Sequence, residues 1–194
     1  MAITYSKCPK CNSSNIAPIR YGEPSYETYL KNEEEKYFWC GCIVAVDENG
    51  KNMFEYHCKD CGYEYNKDNV RDAIYSKITN IKGYIGGYFQ GHQYFEINLL
   101  SGEVFYSKEY KDRLNLMKTL NKKQIGKLLQ NLKTVNILNW NRNYIDKNIM
   151  DGTQWSLTID VNGRKREKIG SNMYPKEWKL YCKIISCLVR KDFR

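Results

Sequence analysis

Two C-x-x-C pairs, Cys8-Pro9-Lys10-Cys11 and Cys58-Lys59-Asp60-Cys61, constrain this chain more than any other feature. Two residues between cysteines let both sulfurs of a pair reach one ion from a tight turn, and two such turns supply the four thiolates of a tetrahedral Zn²⁺ site. The spacing predicts one structural zinc held by Cys8, Cys11, Cys58 and Cys61 in a ribbon of short strands. Gly62, directly after Cys61, suits the left-handed residue that closes such a turn, and Tyr63-Glu64-Tyr65 then alternates like a strand.

The interval between the pairs is long for a minimal ribbon. Asn12 to Asn15 has turn composition, and Ile16-Ala17-Pro18-Ile19-Arg20 reads as a short edge strand that tolerates Pro18, placing a first hairpin here. Glu23 to Lys36 is charged around Glu33-Glu34-Glu35. Tyr26, Tyr29 and Leu30 within it are spaced for one face of a short solvated helix, with Ser25 as its cap. Tyr37 to Val46, the turn Asp47-Glu48-Asn49-Gly50 and Met53 to Tyr56 read as a second hairpin that leads into the second cysteine pair. Cys40 and Cys42 point to one face of a strand and read as buried thiols; exchange with a ligand cysteine, or a second ion, is the alternative. His57 precedes a ligand and is read as a bystander, because four cysteines already fill the shell.

These cysteine pairs, with Ala17 to Pro24, Cys40-Gly41-Cys42 and Cys58 to Tyr65, resemble a zinc-ribbon module of small bacterial proteins. The resemblance implies zinc and the ribbon fold; it implies no reaction. Residues 1–66 form this domain with its long insertion. Residues 67–82 read as a partly helical linker, in which Val70, Ala73, Ile74 and Ile78 have helical spacing and Asp68 or Asn69 is the cap.

Residues 83–194 form the second domain. Tyr84 to Leu100 is strand-like, Ser101-Gly102 turns, and Val104-Phe105-Tyr106 returns. Asn121 caps a helix from Lys122 to Leu132 with Ile125, Leu128, Leu129 and Leu132 on its apolar stripe. Trp155, Leu157, Ile159 and Val161 alternate up to Asn162-Gly163, the strongest hairpin-turn dipeptide, and Arg164 to Ile169 returns. Pro175 stands at the start of a last helix whose Trp178, Tyr181, Cys182, Ile185, Leu188 and Val189 share a face. The prediction is α+β: a ββαββα, two-layer antiparallel sheet of about four strands with helices on one face. Trp140, Asp151-Gly152-Thr153-Gln154-Trp155 and Gly170-Ser171-Asn172-Met173-Tyr174-Pro175 resemble a bacterial domain that carries a similar D-G-x-x-W and G-S-N-x-Y-P pairing. That resemblance also implies no activity.

Charge divides with the domains. The net charge of +9 is the balance of −2 over residues 1–80 and +11 over residues 81–194, so the basic surface belongs to the second domain. Nucleic acid is one expected partner, met by Arg164, Lys165, Arg166 and Lys168 on the return strand and by Lys122, Lys123 and Lys127 on the helix, with Lys133 beside them. A protein partner is the alternative, the chain then acting as an adaptor or as an inhibitor of a macromolecular machine. The glycines Gly83, Gly86, Gly87 and Gly91, among Tyr84, Tyr88, Phe89 and His92, read as bulges in a bent strand more than as a phosphate approach. Catalytic motifs such as H-E-x-x-H, the P-loop and G-x-S-x-G are absent, and no small-molecule substrate is indicated, so the expected protein is not an enzyme. No apolar run suggests a membrane span and the start lacks the regions of a signal peptide; the expectation is cytoplasmic, where thiolates bind metal instead of pairing. Cys182 and Cys187 read as neither ligands nor a disulfide.

Overall fold

The structure is a computed structural model that describes residues 3–32, 36–41, 44–48, 50, 52–87, 91–109, 113–149 and 152–193. The chain divides into two compact units, Thr4–Ile74 and a larger one formed by residues 75–193 with Ile3. The fold is α+β, with one four-stranded and one seven-stranded sheet.

In the smaller unit, β1 (Ile16–Arg20), β2 (Phe38–Trp39), β3 (Tyr56–Cys58) and β4 (Glu64–Tyr65) stand in the order β2-β1-β3-β4. The two local hairpins expected here give way to a longer-range pairing. The strand that leaves the first cysteine turn runs antiparallel to the strand that enters the second, with Ile16 opposite Cys58, and β2 adds in parallel to β1. Bringing the two cysteine turns together aligns these strands, so the pairing follows the cysteines and not chain proximity. Among the described residues, the expected second hairpin shows a bridge between Val46 and Asn52, with the Gly50 amide donating to the Asp47 carbonyl and the Met53 amide to the Ala45 carbonyl; Cys42, Ile43, Asn49 and Lys51 lie outside the described residues. α1 (Tyr26–Leu30) forms where expected: the Ser25 hydroxyl accepts from the Thr28 amide, and no residue of the helix is buried. Glu33, Glu34 and Glu35 lie outside the described residues. α2 (Lys67–Tyr75) occupies the first half of the expected linker. Its cap is Asn66 and not Asp68 or Asn69, because the Asn66 and Asn69 amides each donate to the other's side chain, at 2.9 and 3.0 Å.

The larger unit carries β5 (Ile78–Gly87), β6 (Gly91–Asn98), β7 (Glu103–Ser107), β8 (Asn115–Thr119), β9 (Asn143–Ile145), β10 (Gln154–Val161) and β11 (Arg164–Ser171). Their order is β8-β7-β6-β5-β10-β11-β9, antiparallel throughout except for the parallel pair β11 and β9. The sequence predicts about four strands and the structure has seven. The run from Tyr84 to Leu100 divides into two paired strands whose connection, with Tyr88 and Phe89, lies outside the described residues. β8 and β9 are short edge strands with no clean alternation, which is why periodicity misses them.

Alternation sets the core. Ile81, Ile85, Phe95, Ile97, Val104, Trp155, Leu157 and Ile159 are buried on one face of the sheet. α4 (Trp178–Val189) covers this face, with α3 (Lys122–Thr134) packed beside it: Trp178 packs at 4.5 Å from Trp155 between ring centroids, and Phe193, just after α4, meets Phe95 edge-on. Asn121 caps α3 in a capping box with Gln124, and Asn162 and Gly163, at φ 52° and 78°, make the tight turn of the β10–β11 hairpin.

The G-S-N-x-Y-P segment serves this packing. Trp155 stands opposite Gly170 and lays its indole where a Cβ on Gly170 would be; the indole N–H donates to the Met173 carbonyl at 2.9 Å. Asn172, at φ 56°, accepts from the Thr153 amide at 2.8 Å while its own amide donates to the Thr153 carbonyl at 3.0 Å. Asp151, from the D-G-x-x-W pattern, lies outside the described residues. Gly83 repeats the device under the ring of Phe95, and Gly87 lies against the Gly152 carbonyl. Gly83 and Gly87 are close-packing positions and not bulges, whereas Gly91, at φ 69°, has open space beside it; the described irregularities of the sheet fall beside Asp160 and beside Val104. Gly170→Ala is expected to lower the stability of this unit by about 2 to 3 kcal/mol, because the indole has nowhere to move in a packed aromatic cluster. Denaturant unfolding followed by Trp fluorescence measures it, and an unchanged midpoint contradicts the packing role.

Candidate metal centre

The two cysteine turns are built alike. In the first, the Asn12 amide donates to the Cys8 carbonyl at 2.9 Å; in the second, the Gly62 amide donates to the Cys58 carbonyl at 2.8 Å. Asn12 and Gly62 each follow the second cysteine of a pair and both are left-handed, at φ 63° and 67°. Gly62 is legible in the sequence for that reason, while Asn12 is the other residue type that tolerates this conformation. Asp60 ties the turns together: its carboxylate accepts from the Ser13 hydroxyl and from the Asn15 side-chain amide at 2.7 Å, and these bonds hold its pKa below the usual carboxylate range.

The four sulfurs of Cys8, Cys11, Cys58 and Cys61 all lie within 4.8 Å of one another. Cys8 and Cys61 are 3.8 Å apart and Cys11 and Cys58 are 3.5 Å apart. Four ligands at the Zn–S distance of about 2.3 Å in a tetrahedron have edges of about 3.8 Å, so the arrangement suits an ion of that size. Electrostatics points the same way. Burial opposes ionisation of Cys58, yet the amides of Cys61 and Asp60 and the neighbouring thiols bring its pKa down to about 7. For Cys11, the Ser13 amide favours the thiolate, but desolvation and the three other sulfurs push the pKa up to about 12. One thiolate therefore forms readily and makes the next costly, a conflict that a divalent cation removes.

The two bystander readings divide. His57 is stacked flat on Phe38 at 3.6 Å between centroids, with Nδ1 3.4 Å from Glu64, so its ring is occupied away from the sulfurs. Cys40 is half-buried and outside the four-sulfur group, and Cys42 lies outside the described residues.

The seven cations singled out for nucleic acid are not equivalent. Lys122, Lys123 and Lys127 are exposed on α3, and Arg164 and Lys165 are exposed at the tip of the β10–β11 hairpin. Arg166 is half-buried, and burial lowers its pKa. Lys168 is only 2% exposed. It sits on the core face of β11, where its ammonium donates to the carbonyls of Trp140 and of Leu138, and burial followed by the Arg166 charge lowers its pKa. Its charge is directed at carbonyls at the end of the short 3₁₀ turn Ile137–Asn139, so it leaves the set of surface cations. Periodicity holds the missed signal: residue 168 has the parity of Gly170, which faces the core.

Among the described residues no helix is long and apolar enough to cross a membrane. Cys8→Ser and Cys58→Ser are each expected to lose the bound metal, read by elemental analysis of the purified chain, whereas Cys40→Ser keeps it. Lys168→Ala is expected to cost about 2 to 4 kcal/mol, since it leaves a void and two buried carbonyls without a donor, while Lys123→Ala is near neutral in the same unfolding measurement. Compared with protein-family models the chain matches none, and no curated protein matches it.

Proposed function

We propose that this is a non-enzymatic nucleic-acid-binding protein in which a zinc ribbon, with one structural Zn²⁺, fixes the smaller unit and the cations of the α+β unit engage phosphates. The observation that carries the reading is the concentration of exposed positive charge on the helix layer. Lys122, Lys123 and Lys127 from α3 and Lys176, Lys179 and Lys183 on or just before α4 are all exposed, and α3 contains no carboxylate. Lys122 and Lys123 occupy the first helical turn, where the helix dipole disfavours cations; phosphate oxygens relieve both charges at once. Arg164 and Lys165 add to this surface as exposed cations of the same unit. Flexible lysines suit contacts to the phosphate backbone, which position a protein without reading sequence.

A protein-interaction module, acting as an adaptor or as an inhibitor of a macromolecular machine, is the second reading. It is favoured by a groove between α3 and α4 whose lining includes Leu120, Leu128, Leu180, Ile184 and Leu188, apolar surface that phosphates do not use.

Elemental analysis is expected to give one zinc per chain. Binding to DNA and RNA, measured by fluorescence anisotropy from about 50 to 300 mM salt, is expected to weaken linearly on logarithmic axes. Replacing Lys122 and Lys123 together by Glu is expected to flatten that slope by about 0.9 for each duplex phosphate no longer neutralised, or about 0.7 for a single strand. Retention that is unchanged between low and high salt ends the nucleic-acid reading.

A further inference from the structure

We propose that the groove between α3 and α4 is a docking site for an acidic amphipathic helix of a partner protein, an inference that rests on the protein-interaction reading of this layer. The groove has a volume of about 560 Å³. Leu120, Leu128, Leu180, Ile184 and Leu188 give it an aliphatic strip beside the polar Gln124, Asn131 and Thr134, and Leu180 is 46% exposed.

Charge selects the occupant. Lys118, Lys127 and Lys183 line the groove from β8, α3 and α4, and among the described residues no carboxylate lines it. At Lys118 burial, then the Arg190 guanidinium, lowers the pKa, and Cys187 acts the other way. A ligand that brings carboxylates to the rim and apolar side chains to the floor pairs with these ammonium groups and covers the exposed part of Leu180. A phosphate chain answers the lysines alone. The described lining holds no aromatic ring on which a base could stack, so a nucleic acid leaves the aliphatic surface wet.

Backbone hydrogen bonding selects the conformation. Apart from Lys118 and Leu120, the lining comes from helix faces, whose main-chain groups are already paired within the helices, so along α3 and α4 an extended peptide finds no ladder and only the outer edge of β8 offers one. A helix arrives with its own hydrogen bonds made. The lining runs from Gln124 to Thr134 on α3 and from Leu180 to Leu188 on α4. At about 1.5 Å per residue these faces are roughly 12 to 15 Å long, which accommodates two to three turns of a third helix anchored at i, i+3 or i+4, and i+7.

Cys187 lines the groove and is exposed, which supplies a local readout. The probe is a fluorescent peptide of Glu residues with a Leu stripe at helical spacing; its scrambled isomer, a Lys-for-Glu version and a thymidine oligonucleotide are the controls. The full chain is titrated with each, and alkylation of Cys187 is followed by peptide mass mapping. The striped acidic peptide is expected to bind and to slow alkylation of Cys187, with binding weakened about tenfold or more by Lys127→Glu with Lys183→Glu and by Leu180→Asp, an exposed position whose change leaves the melting temperature unaltered. Binding of the scrambled isomer as tight as that of the striped peptide, or no protection of Cys187, overturns the proposal. Protection of Cys187 by the oligonucleotide in preference to the peptide also overturns it and hands the groove to nucleic acid. Peptide failure with salt-dependent DNA binding intact sinks the docking site while the nucleic-acid reading stands.

Discussion

Four sulfurs within 4.8 Å of one another form a mutually repulsive set once they ionise, and the smaller unit is arranged around that set. Little else is buried there: among the described residues, Cys8, Ala17, Ile19, Cys58, Tyr65 and Val70 make up its core, and two of these six belong to the candidate metal site. Below about 70 to 80 residues a hydrophobic core alone rarely suffices, and a metal is the usual staple. The strand order follows from the meeting of the two cysteine turns. β1 and β3 are far apart in sequence and meet because each adjoins a cysteine turn, and the Asp60 carboxylate bridges the two turns through Ser13 and Asn15. A cation bound there would convert sulfur repulsion into the closure of a long loop, which is the costly step for a pairing at such separation.

The larger unit has a different basis. Its sheet is held to its helices by aromatic rings that fill positions left open by glycines. Trp155 over Gly170 and Phe95 over Gly83 put a large side chain across from none on the same face of neighbouring strands. Trp140, Trp155, Trp178 and Tyr181 then form one contiguous cluster under α4. Because each ring leans on the next, a small volume change at Gly170 is transmitted to the helix, and the segment that follows Gly170 must turn sharply at Asn172 to deliver Pro175 and Trp178 to the same cluster.

Local signals were legible where chemistry acts over a few residues. The spacing of Cys8, Cys11, Cys58 and Cys61 located the sulfurs, Asn162-Gly163 located a hairpin, Asn121 located a helix start, and the alternation from Trp155 to Val161 located a core strand. What sequence did not disclose was long-range partnership. β1 was legible as a strand, but its partner β3 was set by the cysteines, and the edge strands β8 and β9 exist because a sheet beside them supplies the ladder, with no pattern of their own. Lys168 was hidden differently. Residue type argued for the surface and parity argued for the core, and parity prevailed because the carbonyls of Leu138 and Trp140 gave the ammonium somewhere to go.

That outcome alters how the basic half of the chain should be understood. A strand written Arg164-Lys165-Arg166-Glu167-Lys168 looks like a cationic ribbon, but two of its cations are drawn into burial and the other two stand at a hairpin tip. The helix layer instead carries exposed lysines on both helices, with an aliphatic groove between them. A purely electrostatic binding surface has no use for exposed leucine, and a purely apolar one has no use for three lysines around it. Their coexistence would make a docking surface here selective in two respects at once, since a partner would have to answer charge at the rim and apolar area at the floor. Salt separates the two contributions physically: screening weakens the rim contacts and leaves the burial of Leu180 and Leu188 largely untouched, so a ligand that uses the whole groove retains affinity at an ionic strength that releases one held by phosphates alone.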